Sequence, residues 1–272
     1  MTTTLPFNNL RDRVIVITGC AGQIGHALCQ HFAKMGCRVV GMDIAQVGTK
    51  FENSFAQSQH QPINIQADIT DQQSVEDALA EIKQKIGMPQ GLIHAAAMDS
   101  SPDASSSQNG PLETLNIEDF KRVIDVNVTG SMIVAKVFGT AMAIEGKGSI
   151  ALISSIYGEV SPRQDIYQYR RDQGDDFYKP VAYSVSKSAL SNMVRYLATY
   201  WAHDGVRINS VILAGIFNNQ DQAFLDGYLK NVPLGRMADV DDLFGAMTLL
   251  LSDESSYMTG SALTIDGGYT AW

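Results

Sequence analysis

The 272-residue sequence predicts an α/β fold, a single doubly wound parallel sheet with helices on both faces. Two observations carry that prediction. Apolar runs of strand length alternate with amphipathic helical patterns from end to end. Between the first run and the first helical pattern lies VITGCAGQIG, Val16 to Gly25, with glycines three apart at Gly19, Gly22 and Gly25. No proline- or glycine-rich linker divides the chain, and the strand and helix repeat is too irregular for a solenoid. The chain reads as one domain, residues 1–272.

In chain order, RVIVIT (Arg13–Thr18) is the first strand, and IGHALCQHFAKMG is the first helix, closed by Gly36. RVVGMD (Arg38–Asp43) and PINIQADI (Pro62–Ile69) are the second and third strands. Thr70 with Gln73 reads as a capping box that opens a helix over Asp71–Lys85. GLIHAAA is the fourth strand, and Asn116 caps a long helix running to about Ile144. GSIALISS (Gly148–Ser155) and VRINSVIL (Val206–Leu213) follow as strands five and six, and ALTID is a short last strand. Two segments break the rhythm. MDSSPDASSSQNGP (Met98–Pro111) is a polar loop of low complexity. The insertion GEVSPRQDIYQYRRDQGDDFYKP (Gly158–Pro180) carries four tyrosines or phenylalanines and three arginines, and loops of that length are usually functional or disordered.

Composition narrows the class. Hydrophobic residues are 45% of the chain and charged ones 18%, enough for a sizeable core. A net charge of −9 without a basic tract argues against nucleic acid as a partner. With no run of 18 apolar residues and no signal-like start, the expectation is a soluble, cytoplasmic protein without a membrane partner. Cys20, Cys29 and Cys37 form no CxxC pair and read as packing residues. No His/Cys cluster has ligand spacing, so no metal is expected.

The glycine stretch serves either a tight turn or a phosphate cradle. In a doubly wound sheet it lies beyond a strand's carboxyl end and at a helix N-terminus, where free N–H groups and the helix dipole favour a pyrophosphate. Asp43, 18 residues beyond Gly25, ends the second strand. A carboxylate there accepts hydrogen bonds from ribose hydroxyls and repels a 2′-phosphate, which predicts NAD(H) over NADP(H). The chemistry is placed in YSVSK, where Tyr183 and Lys187 share one helical face. A nearby ammonium stabilises a phenolate and tunes the phenol for acid/base work near neutral pH.

These motifs, in this order and over essentially the whole chain, resemble the classical short-chain dehydrogenase/reductase family. TGCAGQIG corresponds to its glycine motif, Asp68 in ADIT to its adenine-side aspartate, and HAAA (His94–Ala97) to its Asn-Asn-Ala-Gly stretch. The catalytic tetrad maps onto Asn127 in DVNVTG, Ser155 in ISSIYG, Tyr183 and Lys187. The resemblance implies a Rossmann fold binding NAD through Gly19, Gln23, Ile24, Gly25, Asp43, Asp68, Ile69, Ala95, Tyr183, Lys187 and Ile216. It implies that Tyr183 moves the proton on the substrate oxygen and Ser155 positions that oxygen. Lys187 binds the nicotinamide ribose and lowers the tyrosine pKa, and Asn127 holds a water leading to solvent. It further implies a homo-oligomer, a dimer or tetramer.

Several positions depart from the family pattern. Gly22 comes one residue early and Gln23 stands at the usual middle glycine, a spacing found in extended members. His94 replaces an asparagine and reads as a satisfied structural histidine rather than a proton shuttle. Leu213 and Ala214 stand where Pro-Gly is usual, so Gly215 is expected to supply the turn and Ile216 the nicotinamide contact. The long insertion, KPVAYSVSKSAL, GIFNNQ and GGYTAW resemble the subgroup of flagellin-modification oxidoreductases linked to nonulosonic sugars. Tyr167, Tyr169, Arg163, Arg170 and Arg171 suit either a hydroxylated, even anionic, small-molecule substrate or a subunit contact. Two functional classes follow. One is an NAD(H)-dependent oxidoreductase of secondary alcohols and ketones on a sugar-like substrate. The other is a non-catalytic NAD-binding sensor or scaffold. A sugar-nucleotide epimerase ranks last, because the chain is short of the substrate domain such enzymes use.

Overall fold

The computed structural model describes residues 7–48, 55, 58–99 and 106–272. The central part of the predicted Met98–Pro111 loop, residues 100–105, lies outside the described residues.

Seven strands form one sheet in the order β3-β2-β1-β4-β5-β6-β7, and every neighbouring pair is parallel. They are β1 (Val14–Thr18), β2 (Arg38–Asp43), β3 (Ile63–Gln66), β4 (Gly91–His94), β5 (Gly148–Ile153), β6 (Val206–Leu213) and β7 (Ala262–Ile265). The predicted fold class holds, and the bounds of β2 and β6 coincide with the apolar runs in the sequence. The helices of seven residues or more are α1 (Gln23–Lys34), α2 (Gln72–Lys85), α3 (Ile117–Ile144), α4 (Val181–Trp201), α5 (Gln222–Tyr228) and α6 (Phe244–Leu251).

Alternation along each strand sends successive side chains to opposite faces. Val14 and Val16 pack with Val75 and Ile82 of α2, Phe138 of α3 and Leu190 and Trp201 of α4. Ile15 and Ile17 point the other way, against Leu28 and Phe32 of α1 and Met247 and Leu250 of α6. Covering both faces is what a sheet of uninterrupted apolar strands requires. A third cluster lies around the end of β6. There Ile166, Tyr167 and Phe177 of the insertion pack with Ile212, Ala214, Tyr228 and Tyr269.

Two local expectations need correction. The helix α2 is capped by Asp71, whose side chain accepts from the Gln73 N–H, and not by Thr70. Thr70 is drawn back into the preceding turn, donating through both its N–H and its hydroxyl to Asp68 Oδ1. Asn116 does cap α3, accepting from the Glu118 N–H at 2.9 Å, but that helix is not regular throughout. It widens into a π-helical stretch at Asp125–Gly130, and such widenings are frequent at functional sites. By length and composition α3 is apolar enough to cross a membrane, with half of that stretch buried in the fold.

Candidate active site

Strand order reverses between β1 and β4, and the carboxyl ends of these two strands flank the crevice where ligands bind in such sheets. The glycine loop sits there. Gly19 has φ +72°, and a Cβ on it would come within 2.8 Å of the Ala96 backbone N. A Cβ on Gly25 would lie 2.2 Å from the Gly19 carbonyl oxygen, so the first turn of α1 rests directly on the loop. Gly22 caps α1 with no side-chain hydrogen bond, which leaves the N–H groups of the first turn open to an anion. The stretch is therefore a tight turn and also an open helix N-terminus.

Asp43 ends β2 beside that loop. Its Oδ2 accepts from the Ala21 N–H at 2.9 Å and its Oδ1 from the Ala45 N–H at 3.0 Å. Each oxygen keeps a further lone pair for a hydroxyl. Beyond β3, Asp68 is held by Thr70, and Ile69 is buried against Gly130 of α3. Ile24, Ala95 and Ile216 are half-buried and pack on the α1 face of the sheet. Gln23 reaches across to donate to the Phe217 carbonyl at 2.9 Å, tying the loop to the segment after β6.

That segment keeps its form without Pro-Gly. Ala214 stays in the sheet by donating to the Ile265 carbonyl at 3.0 Å. Gly215 does not adopt a positive φ, so it supplies no glycine-type turn. Its bare Cα instead admits Met237, whose Cε would sit 2.8 Å from a Cβ there, and its N–H is held by the Tyr228 hydroxyl at 2.8 Å.

The four predicted tetrad residues converge at the ends of β5 and α4. The buried Ser155 hydroxyl lies near enough to the Tyr183 phenol to lower its pKa. Lys187 is buried, donates to the Ile153 carbonyl at 2.9 Å, and its Nζ lies 5.6 Å from the centre of the Tyr183 ring. Asn127 sits in the π-helical stretch. Its side chain clamps the Met98 backbone, accepting from N–H at 2.6 Å and donating to the carbonyl at 2.8 Å, and also donates to Ser186 Oγ at 2.9 Å. Ser186 in turn donates to the Tyr183 carbonyl at 2.7 Å, so Asn127 reaches the tyrosine through helix α4.

Electrostatics differ from the expectation at one point. The Tyr183 phenol is pushed up, first by burial and then by the charge of Asp99, while the nearby Ser155 hydroxyl opposes the rise. The net shift is upward, so the lowering expected from the Lys187 ammonium does not dominate here. Burial lowers Lys187 itself to about 8, with Asp99 opposing.

His94 is fully engaged. Thr18 Oγ1 accepts from the N–H groups of Ala95 and Ala96, which leaves its proton to donate to His94 Nδ1 at 2.8 Å. His94 Nε2 then donates to Ser131 Oγ at 2.9 Å, and Ser131 donates to the Asn127 carbonyl at 2.6 Å. Burial holds the imidazole down at about 3, so it stays neutral, as a structural histidine.

The arginines of the insertion are used within the fold. Arg163 bonds Asp165 and Asn231, Arg170 pairs with Asp175 and stacks on Phe177, and Arg171 donates to the Gln164 and Phe177 carbonyls. Tyr169 donates to Asp221 and Tyr167 is buried. Two residues beside the site carry no sequence signal: Asp99 and Lys179 meet at 2.5 Å across 80 positions of chain. Among the described residues no cluster of His, Cys, Asp or Glu is built to hold a metal, and the three cysteines are buried thiols, Cys20 and Cys37 pushed up to about 12 mainly by burial.

A family model described as enoyl-(acyl carrier protein) reductase matches residues 19–270. The chain is 28% identical over 265 residues to cis-4-hydroxycyclohexanecarboxylate dehydrogenase of Sinomonas cyclohexanicum, covering 96% of this chain and 97% of that one. It is 25% identical to post-translational flagellin modification protein A of Campylobacter coli, covering 96% and 99%. A short-chain dehydrogenase of Leptospira borgpetersenii, solved with bound NAD+, superposes with a TM-score of 0.84 at 30% identity, covering 99% and 97%.

Proposed function

Because the chain belongs to the classical short-chain dehydrogenase/reductase family, we propose that it is an NAD(H)-dependent oxidoreductase interconverting a secondary alcohol and a ketone on a hydroxylated, sugar-like small molecule. The observation that carries this reading is the convergence of Ser155, Tyr183 and the buried Lys187 at the carboxyl end of β5, with Lys187 Nζ 5.6 Å from the centre of the Tyr183 ring. Ser155 holds the substrate oxygen, and Tyr183 takes its proton in oxidation and returns it in reduction. Lys187, a buried cation near the ring, binds the nicotinamide ribose. Asn127 orders the water that passes the proton to solvent. The cofactor, when bound, supplies or accepts the hydride, so alcohol and NAD+ give ketone, NADH and a proton.

The residues present fit NAD. The first turn of α1 has no side-chain cap to compete with a pyrophosphate. Asp43 sits where a 2′-phosphate would be repelled. Gly19, Gln23, Ile24, Gly25, Ala95 and Ile216 surround the crevice, with Asp68 and Ile69 on the adenine side. The Leptospira relative holds NAD+, and the Sinomonas relative is named as a dehydrogenase of a hydroxycyclohexanecarboxylate. The one-domain reading of residues 1–272, with the insertion at about 158–180, rests on the single sheet. A dimer or tetramer is supported by the exposed Val181, Val185, Tyr196 and Tyr200 of α4. A cytoplasmic location rests on the sequence alone.

Fluorescence titration with NADH and NADPH, followed by turnover on a panel of sugars and sugar acids, tests the reading. NADH binding at least about tenfold tighter, equal to about 1.4 kcal/mol, with turnover of a panel member, is the expected result. Binding of neither cofactor refutes it.

A further inference from the structure

We propose that the Asp99–Lys179 pair beside Tyr183 reads a substrate hydroxyl, selecting a neutral vicinal diol or its hydroxyketone over an alcohol that carries a carboxylate. This rests on the proposed function and names its substrate class.

Lys179 is the residue before Pro180, which starts α4. The insertion fixes its backbone: its N–H donates to Gln164 Oε1 and its carbonyl accepts from Gln164 Nε2, each at 2.9 Å. Its ammonium donates to Asp99 Oδ2 at 2.5 Å and lies 5.0 Å from the centre of the Tyr183 ring. The lysine side chain is only 12% exposed, against 40% for Asp99, so a nearly buried cation is held against the tyrosine by an acid at the rim. The charge of Asp99 is felt at Tyr183, Lys187 and Tyr167.

An ammonium has three donors. Among the described residues Asp99 is its only hydrogen-bonding acceptor. A hydroxyl on the carbon next to the reacting one accepts from this ammonium while the reacting oxygen meets Ser155 and Tyr183. A carboxylate gains little, because Asp99 cancels the field of Lys179 and repels a second anion. Nor does the rest of the insertion offer an anion receptor, since Arg163, Arg170 and Arg171 are committed to aspartates, Asn231 and backbone carbonyls.

The test measures kcat/KM of the full chain with NAD+ for cyclohexane-1,2-diol, cyclohexanol and 2-hydroxycyclohexanecarboxylate. A hydrogen bond to a charged group is worth about tenfold or more, so the diol is expected to exceed cyclohexanol by roughly that factor. Lys179→Met brings the two to within about twofold, and Asp99→Asn, which bares the cation, raises the carboxylate probe relative to the diol by roughly tenfold. NADH affinity and Tm of both variants stay at the wild-type values. Wild type that binds NADH but prefers cyclohexanol or the carboxylate, or turns over no diol, overturns the inference. So does a Lys179→Met or Asp99→Asn variant with an unchanged order of preference. Failure to bind NADH removes the proposed function itself, and the inference with it.

Discussion

The imidazole of His94 shows how one residue can be decided by its partners. Donation from Thr18 fixes Nδ1 as an acceptor, which makes Nε2 the N–H that meets Ser131. The chain ends on the Asn127 carbonyl, so the histidine supports the π-helical stretch in which Asn127 sits. This has a pH consequence. The folded pKa, about 3, is below the ordinary value of 6.5, so only the unfolded state takes up the proton between them. Stability from neutral His94 is complete above that ordinary value and is lost as pH falls towards the folded one. A His94→Asn variant is expected to lose stability on acidification less steeply than wild type, by about 1.4 kcal/mol per pH unit between pH ~6 and ~4. Denaturant titrations across that range measure it, and parallel curves would contradict it. Sequence inspection identified the residue type and its departure from the family motif. It could not reveal the tautomer, because Thr18, His94 and Ser131 are brought together only by the packing of β1, β4 and α3.

At the scale of elements, the contact between the glycine loop and α1 governs cofactor binding. A methyl group on Gly25 would lie 2.2 Å from the Gly19 carbonyl, whereas one on Gly22 would lie 3.3 Å from the same atom. Gly25→Ala therefore has to lift the helix from the turn. We expect a loss of about 1–3 kcal/mol of stability and NADH binding weakened at least tenfold, with a milder effect from Gly22→Ala. Thermal melts with and without NADH distinguish the two, and equal effects would contradict the account. The strands were largely legible because apolar runs bounded by polar residues mark buried strands. Their ends were less so: β3 stops at Gln66 rather than Ile69, because Asp68 and Thr70 bond to one another and peel away from the sheet. The same local bond displaced the helix cap from Thr70 to Asp71.

Across the whole molecule, the long connection after β5 is part of the core over the site rather than a free loop. Tyr167 and Phe177 are buried against Tyr228 and Tyr269 from the last third of the chain. The aromatic and arginine content of that insertion was visible in the sequence, and its two readings, substrate contact or subunit contact, followed from side-chain chemistry alone. What composition could not show was that its arginines are spent on its own aspartates and carbonyls. Nor could it show that Lys179 would meet Asp99, since nothing local couples residues 80 apart. The tetrad was legible for the opposite reason: Tyr183 and Lys187 are one helical turn apart, and Ser155 comes two residues after a recognisable strand. The central claim is that this constellation moves the substrate proton while a separate loop holds the cofactor. Turnover and NADH affinity of Tyr183→Phe, measured side by side with wild type, test it most directly. The account predicts turnover lower by about 10²–10⁴-fold with NADH affinity unchanged. A variant that keeps its turnover would contradict it.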